Sequence, residues 1–338
     1  MLIMRAARTG DHEAFVELAR KAGPGFTSLS VDDEALHNRL MVSEQAFDGQ
    51  IEDRADCSYQ LMLEDTETGQ VMGTSAVKGA VGLKKPYFDF KIITMTRSSK
   101  AANRRFDMDA LLLVNDFAGA TEVGSLFVLD GMRGSGAGRL CAKSRYLLIA
   151  ADPTRFGDRV LAELRGVSDS EGHSPFYEGL AKPFFHMDFT EADELSASSD
   201  NQFILDLMPT NLIYVDLLPD SAKAVIGKTH PDGVNALKLL ESEGFRYDRY
   251  VDIFDGGPLV SVRTPDITTI RESKVREVAA QPITGEGIKA IISTDRLSDF
   301  RCTYTDIRLN RETVELDDET RRALRIEAGD SVRVWVKD

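Results

Sequence analysis

The glycine-rich segment at residues 133–138 constrains the fold of this chain more than any other feature. Its sequence is Arg-Gly-Ser-Gly-Ala-Gly, with an apolar, strand-like run before it at 125–129 and a helical pattern after it at 139–151. A further apolar run at 160–167 predicts another strand. Alternating glycines expose consecutive backbone N–H groups, and the following helix adds its positive N-terminal end. The segment therefore predicts a strand–loop–helix–strand unit with an anion site, suited to a pyrophosphate.

Three kinds of nucleotide-binding loop compete for this segment. A Walker loop ends in Gly-Lys-Ser/Thr, but here Gly138 is followed by Arg-Leu. A Rossmann fingerprint needs GxGxxG, whereas Gly134, Gly136 and Gly138 have the spacing GxGxG. The R/Q-x-x-G-x-G/A loop of the GNAT acyltransferases fits Arg133, Gly136 and Gly138, with a strand before and a helix after. On the motif alone, a plain tight turn without a ligand stays open as an alternative.

Charge and composition narrow the classes of partner. The chain has 338 residues, 42% of them apolar, and a formal net charge of −14. This apolar fraction supports a folded core, and an acidic surface repels nucleic acid and anionic lipid. Cys57, Cys141 and Cys302 are widely spaced, which argues against a disulfide framework and against a zinc site. The sequence has no signal-peptide pattern and no apolar run of membrane-spanning length. We therefore expect a cytoplasmic protein without a metal, nucleic-acid or membrane partner.

The rest of the chain predicts a mixture of helices and strands. Among these elements we expect a helix at 108–114 and a strand at 184–189. From about residue 264, short β-rich runs surround one small helix at 317–324, which predicts a small β-barrel-like appendage. The predicted domains are therefore 1–263 and 264–338.

Several dispersed segments, in the same order along nearly the whole chain, resemble the arginine N-succinyltransferase family. These segments are residues 25–29, 125–128, 172–176, 207–209, 227–231 and 250–258. The resemblance implies an α+β, GNAT-like acyl-CoA N-acyltransferase fold. It also implies transfer of a succinyl group from succinyl-CoA to the α-amino group of L-arginine in arginine catabolism. Some members of the family are paired chains that also use L-ornithine, so a homo-oligomer or a hetero-oligomer with a paralogous chain is expected.

The reaction requires an amine to attack a thioester, an oxyanion to be stabilised and a thiolate to be protonated. In this fold the oxyanion is expected to meet a backbone N–H on the strand that carries Leu126, Phe127 and Val128, and the resemblance implies that Leu126 contacts the acyl-CoA.

The resemblance also implies that His230 corresponds to the family's proposed proton donor. A histidine suits this role because an imidazole exchanges protons near neutral pH. Tyr177 is the second candidate acid. The competing interpretations are a histidine that only caps a turn and a tyrosine that only packs. No Ser-His-Asp arrangement is evident, so we expect direct transfer without an acyl-enzyme.

Binding of the amino-acid acceptor requires a second set of polar side chains. A carboxylate is needed for its cationic end, and hydroxyl donors for its own carboxylate. We take Asp252 and Asp255 as candidates for the first role and Thr27 and Ser28 for the second. Two further carboxylates, Glu122 and Glu163, are alternatives, and a purely structural role is open for each of them. No residue is assigned to the succinyl carboxylate.

Two other functions remain open at this stage. One is a GNAT enzyme that acylates a different amine, such as a polyamine or a protein lysine. The other is a CoA-binding partner subunit without turnover of its own. The intact glycine segment and the presence of His230 disfavour the second of these.

Overall fold

The computed structural model describes residues 1–23, 29, 32–132, 134–169 and 172–336, without the side chains of residues 194, 197 and 198. The chain divides into two compact units. Unit 1 combines Met1–Ala80, Thr121–Val160 and Arg263–Asp338, and unit 2 combines Val81–Ala120 and Leu161–Val262. No helix in the described ranges is both long enough and apolar enough to cross a lipid bilayer.

Strands and helices are mixed along the chain. The strands are β1 (Leu2–Ala6), β2 (Ser58–Asp65), β3 (Val71–Lys78), β4 (Asp89–Ser99), β5 (Arg104–Val114), β6 (Thr121–Val128), β7 (Arg159–Glu163), β8 (Ile213–Tyr214), β9 (Arg246–Asp252), β10 (Pro258–Arg263), β11 (Lys274–Val278), β12 (Ile288–Thr294), β13 (Arg301–Leu309), β14 (Thr313–Glu315) and β15 (Ser331–Val336). The helices are α1 (His12–Ala22), α2 (Asp33–Phe47), α3 (Ala137–Ala151), α4 (Lys182–Phe185), α5 (Phe189–Ser198), α6 (Gln202–Leu207), α7 (Asp220–Lys223), α8 (Val234–Ser242), α9 (Thr268–Glu272) and α10 (Asp318–Leu324).

The N-terminal sheet of unit 1 is antiparallel, with strand order β1–β2–β3–β6. Helices α1 and α2 bury Phe15, Leu36 and Leu40 in one cluster with Met62 of β2. Asp32 caps α2 by accepting hydrogen bonds from the N–H groups of its first turn, which satisfies donors that a helix start leaves unpaired. These contacts fix the sheet from one side.

The C-terminal strands of unit 1 close into a five-stranded barrel. Their order is β12–β15–β11–β14–β13, and β13 pairs back onto β12. Closure leaves no free edge in the barrel, and its interior is filled by apolar side chains such as Ile292, Ile307 and Val332. Strand β13 also pairs with β1, where Thr303 lies opposite Ile3. The predicted barrel is confirmed, and the predicted domain boundary at 263/264 stays a prediction.

Helix α3 lies at the centre of unit 1 and is buried on nearly all sides. Its Lys143 is buried, yet its ammonium donates to the Thr269 hydroxyl at 2.8 Å and lies 3.6 Å from the ring centroid of Trp335. Trp335 belongs to β15, and its indole N–H donates to Glu272 of α9 at 3.2 Å. Ring and hydroxyl together replace the water that this cation loses on burial.

Unit 2 contains an antiparallel sheet of order β10–β9–β4–β5–β8. An apolar cluster on one side joins Phe90 and Leu111 of this sheet to Phe176 and Leu180 of the segment before α4. The helix predicted at 108–114 is wrong, because this run lies within β5. Its leucines favour a helix in isolation, but full pairing with β4 determines the structure.

The strand predicted at 184–189 is also wrong. Residues of this run end α4 and begin α5, with His186 in a left-handed conformation between the two helices. Short apolar runs do not separate buried helix from buried strand by their periodicity.

We expect Trp335→Ala to lower the free energy of unfolding by about 3 kcal/mol, because a buried ring and its contact with Lys143 are both lost. The matched control is Tyr304→Ala, since Tyr304 also lies under a lysine, Lys289, but is half exposed. Urea unfolding followed by circular dichroism measures both variants. Equal losses for the two variants would contradict the role given to Trp335.

Candidate functional site

Strand β6 carries a β-bulge at the position where sequence analysis expects the acyl group. Gly124 lies opposite Ala76 and Phe127 opposite Thr74, so Ser125 and Leu126 together face the single residue Ser75 of β3. Ser125 has a φ of 49°, which is rare for a residue with a side chain. A bulge interrupts the hydrogen-bond ladder and turns backbone groups away from the neighbouring strand.

A buried polar network lies beside this bulge, and sequence analysis missed it. The Gln60 amide donates to the Thr74 hydroxyl at 2.5 Å, and that hydroxyl donates to the Leu61 carbonyl at 2.9 Å. Ser75 donates to the carbonyl of Cys141 in α3 at 3.2 Å. The network therefore holds β3, opposite the bulge, against helix α3.

The glycine segment leads directly into α3. Gly134 and Gly136 have φ values of 85° and 89°, in the left-handed region that favours glycine. Gly136 caps α3, Ala137 is its first residue, and Gly138 lies in the first turn. Apart from its neighbours in the chain, a Cβ at Gly134, Gly136 or Gly138 would meet no atom of the described residues within 4 Å, so the described part of the chain leaves the space above the loop open. The N–H groups of a first helical turn lack helical partners, which makes this end of α3 suited to an anion.

His230 is fixed by its backbone in unit 2. Its N–H donates to the carbonyl of Arg165 at 2.8 Å, and the preceding Thr229 forms a β-bridge with Gly166. The Nδ1 atom accepts the N–H of Asp232 at 3.2 Å. In the neutral ring the proton therefore resides on Nε2, and the side chain is largely buried. The arrangement caps a turn and also leaves an N–H that can be donated.

Asp252 and Asp255 are engaged by the turn that follows β9. Asp255 accepts the N–H groups of Gly166 and Gly257, each at 2.7 Å. Asp252 accepts the N–H groups of residues 254 and 255 at 2.8 and 2.7 Å. Desolvation and then the charge of Asp252 raise the pKa of Asp255 above its usual range, while the two backbone donors oppose this. These contacts are structural, and a role in binding the acceptor stays a prediction.

Tyr177 lies in the core of unit 2. Its ring is fully buried and packs edge-on against Phe189, at 5.3 Å between ring centroids. Its hydroxyl lies 3.1 Å from the Met187 carbonyl and 3.3 Å from the Asp188 carbonyl. Burial raises the pKa of Tyr177 to about 12. A proton held this tightly and donated to the backbone favours the packing interpretation over catalysis.

The remaining predicted site residues either lie outside the described residues or are carboxylates at other positions. Arg133, Thr27 and Ser28 lie outside the described residues. Glu122 forms an ion pair with Lys78 at 2.8 Å in unit 1, and Glu163 ends β7. The structure thus brings Leu126, Phe127 and Val128 together with the glycine segment in unit 1, and His230 together with Asp255 through Gly166 in unit 2.

In the described part of the chain, no group of three or more His, Cys, Asp or Glu side chains could hold a metal ion. Cys57, Cys141 and Cys302 are buried, free thiols.

Similar proteins are known at the level of sequence and of structure. Residues 2–269 match the family model described as arginine N-succinyltransferase beta subunit, and residues 271–335 match the model of its C-terminal domain. A relative from Enterobacter sp. strain 638, named arginine N-succinyltransferase, is 37% identical over 99% of this chain and 97% of its own. The arginine N-succinyltransferase subunit beta of Pseudomonas aeruginosa is 38% identical over 98% of this chain and 97% of its own. The solved structure of arginine/ornithine succinyltransferase subunit AI from Pseudomonas aeruginosa superposes with a TM-score of 0.88 at 32% identity, covering 99% of this chain and 98% of that chain.

We expect Asp255→Ala to destabilise the protein by about 3 kcal/mol, because two backbone N–H groups lose their acceptor. Asp255→Asn keeps one carbonyl oxygen and should lose about half as much. The control is Asp248→Ala, since Asp248 is an exposed carboxylate on β9. Thermal unfolding in the absence of substrates measures all three variants, and an Asp255→Ala protein as stable as the control would disprove the structural role.

Proposed function

Because the chain belongs to the arginine N-succinyltransferase family, we propose that it transfers a succinyl group from succinyl-CoA to the α-amino group of L-arginine. The observation that carries this proposal is the family match over nearly the whole chain, from residue 2 to residue 335. The chain also covers 97% of the length of each of the two relatives named above. L-Ornithine is a second acceptor, as suggested by the name of the similar solved structure.

The glycine segment is the proposed site of the CoA pyrophosphate. Three properties support it: the open space above Gly134, Gly136 and Gly138, the left-handed turn that leads into the helix, and the positive end of α3. Arg133 fits the family pattern at this loop and would add a positive charge.

The bulge of β6 is the proposed place where the thioester carbonyl becomes an oxyanion. A tetrahedral intermediate requires a donor aimed at the developing negative charge, and a fixed backbone N–H supplies this without reorganisation. Leu126, Phe127 and Val128 follow the interruption of the ladder at Ser125, and the Ser75–Cys141 hydrogen bond supports the strand opposite.

His230 is the proposed proton donor. The neutral α-amino group of the acceptor attacks the carbonyl carbon, the carbon–sulfur bond breaks, and the CoA thiolate takes up a proton while the new amide nitrogen loses one. The protonated ring of His230 is the acid: its Nδ1–H faces the Asp232 carboxylate, 3.5 Å away, and its Nε2–H gives its proton to sulfur. The neutral ring that remains takes up the proton that the new amide nitrogen loses. No covalent acyl-enzyme is required. Tyr177 is the weaker candidate because its hydroxyl already faces backbone carbonyls.

Assembly is part of the proposal. One relative is named a subunit beta and the similar solved structure a subunit AI. We expect this chain to associate with a second copy of itself or with a paralogous chain.

The reaction is tested by thiol release from succinyl-CoA by the purified chain. L-Arginine, L-ornithine, spermidine and no acceptor are compared, with acetyl-CoA as the alternative donor. Release that requires succinyl-CoA together with arginine or ornithine supports the proposal. Release with spermidine alone would favour a different amine acyltransferase. Binding of CoA without release for any acceptor would favour a partner subunit without turnover.

We expect His230→Ala to lower kcat about 100-fold while the KM for succinyl-CoA stays unchanged, because only proton transfer is removed. The control is His37→Ala, since His37 is exposed on α2. Steady-state kinetics measures both. Full turnover by His230→Ala would exclude the assigned donor.

We expect Gly136→Glu to weaken CoA binding at least 10-fold, because a carboxylate would enter the space proposed for the pyrophosphate. Gly329→Glu is the matched control: Gly329 has a φ of 91° and equally open surroundings, but it lies in the barrel turn before β15. Any strain from the left-handed backbone is therefore common to both variants. Calorimetric titration with CoA measures the difference, and equal affinities would refute the pyrophosphate assignment.

A further inference from the structure

Strands β4 and β5 extend well beyond the strands beside them. They pair with each other from Asp89 out to Ser99, which lies opposite Arg104. Strand β9 pairs with β4 only over Asp89–Lys91, and β8 pairs with β5 only at residues 110 and 111. Within the described ranges, residues 94–109, here called the arm, are therefore a two-stranded ribbon without a third strand. A ribbon of this kind is marginally stable in water unless one face is covered.

The two faces of the arm change character along its length. At the base, Phe90 and Ile92 with their cross-strand partners face the core of unit 2. Further out this same face is polar, because Thr94 donates to Asp109 and Thr96 donates to Asp107, each at 2.5 Å. Arg249 secures this polar face by an ion pair with Asp109 at 2.8 Å.

The opposite face of the arm is apolar. It carries the cross-strand pair Met95 and Met108 and, nearer the tip, Phe106 opposite Arg97. Phe106 is 52% exposed, and it shares this face with two methionines instead of standing alone. The Arg97 guanidinium lies 4.0 Å from the Met95 sulfur, so the rim of this face is basic. An aromatic and two methionines beside arginine are residue types enriched at protein interfaces.

The charge of the arm is opposite to that of the rest of the chain. The arm contains four basic residues, Arg97, Lys100, Arg104 and Arg105, and two acidic ones, Asp107 and Asp109. It therefore carries +2, which leaves −16 on the remaining residues of a chain whose net charge is −14. The body of a second copy of this chain carries a net negative charge that attracts a basic arm, whereas nucleic acid and anionic lipid are repelled by the rest of the chain.

We propose that the apolar face of the arm, centred on Phe106, is a contact surface for a second copy of this chain. This surface would serve the assembly proposed above and rests on that proposal. It can be tested separately from succinyl transfer, because the arm contains none of the residues assigned to the reaction. In a twofold dimer each arm packs on the body of the other copy, so both arms are covered by one symmetric contact.

Sedimentation velocity over a range of concentrations, with thiol release measured in parallel, tests the surface. We expect the wild-type chain to dimerise and Phe106→Ser to raise the dissociation constant at least 10-fold. The matched control is Leu83→Ser, since Leu83 is also 52% exposed and lies in unit 2 outside the arm. It should dimerise like the wild type. Arg104→Glu combined with Arg105→Glu should weaken the dimer further, and added salt should weaken the wild-type dimer.

Three outcomes would overturn the proposal. They are a wild-type chain that stays monomeric, a Phe106→Ser chain with the wild-type dissociation constant, and arm variants that lose binding to anionic vesicles instead of self-association. Thiol release separates this test from the proposed reaction. If an arm variant loses the dimer but still transfers succinyl groups, the contact surface is supported and the proposed reaction is unaffected. If the wild-type chain dimerises but shows no transfer, the proposed reaction is wrong and the contact surface is unaffected.

Discussion

The burial of helix α3 on nearly all sides is the constraint on which unit 1 depends. A helix that packs all round has no solvent face for its polar side chains, so each must be satisfied internally. Lys143 meets this requirement with the ring of Trp335 and the hydroxyl of Thr269. Arg145 and Ser144 donate to carbonyls one turn back in the same helix. The C-terminal barrel is thus part of the environment that keeps a lysine inside the protein.

A helix fixed in this way can present its N-terminus without a change of structure on binding. The glycine segment precedes its first residue, and the Ser75–Cys141 hydrogen bond connects it to the strand opposite the β6 bulge. The proposed anion cradle and the proposed oxyanion donor therefore share one support. Preorganised backbone donors are worth more than mobile side chains, because no reorganisation is needed when charge develops. The barrel is far from the glycine segment in sequence, but its Trp335 packs on Lys143 of α3 and so helps to hold the helix that bears the proposed site.

The sequence predicts those parts of the fold that depend on local signals. The strand–loop–helix–strand unit around Gly136, the C-terminal barrel, the α+β class and the family are confirmed. The bulge at Ser125 is not predictable, because a non-glycine residue with positive φ leaves no signature in one sequence. The network around Gln60 also depends on residues brought together by pairing of β2 with β3.

Errors arose where tertiary contacts overrule local preference. The leucines of β5 favour a helix alone, yet they become a strand because β4 pairs with them along their whole length. For Asp252 and Asp255, the structure shows oxygens that accept backbone N–H groups, and a role of these residues in binding the acceptor stays a prediction. A carboxylate beside a Gly-Gly turn commonly satisfies that turn, and the sequence alone does not distinguish this use from recognition.

Amide hydrogen exchange with and without succinyl-CoA probes the proposed site itself, because the groups proposed to bind the ligand are backbone N–H groups. We expect succinyl-CoA to slow exchange at residues 134–139 and at 126–128. Exchange within β12 of the barrel should be unchanged. If succinyl-CoA binds and residues 134–139 still exchange at their original rate, the N-terminus of α3 takes no part in holding the ligand and the proposed site is wrong.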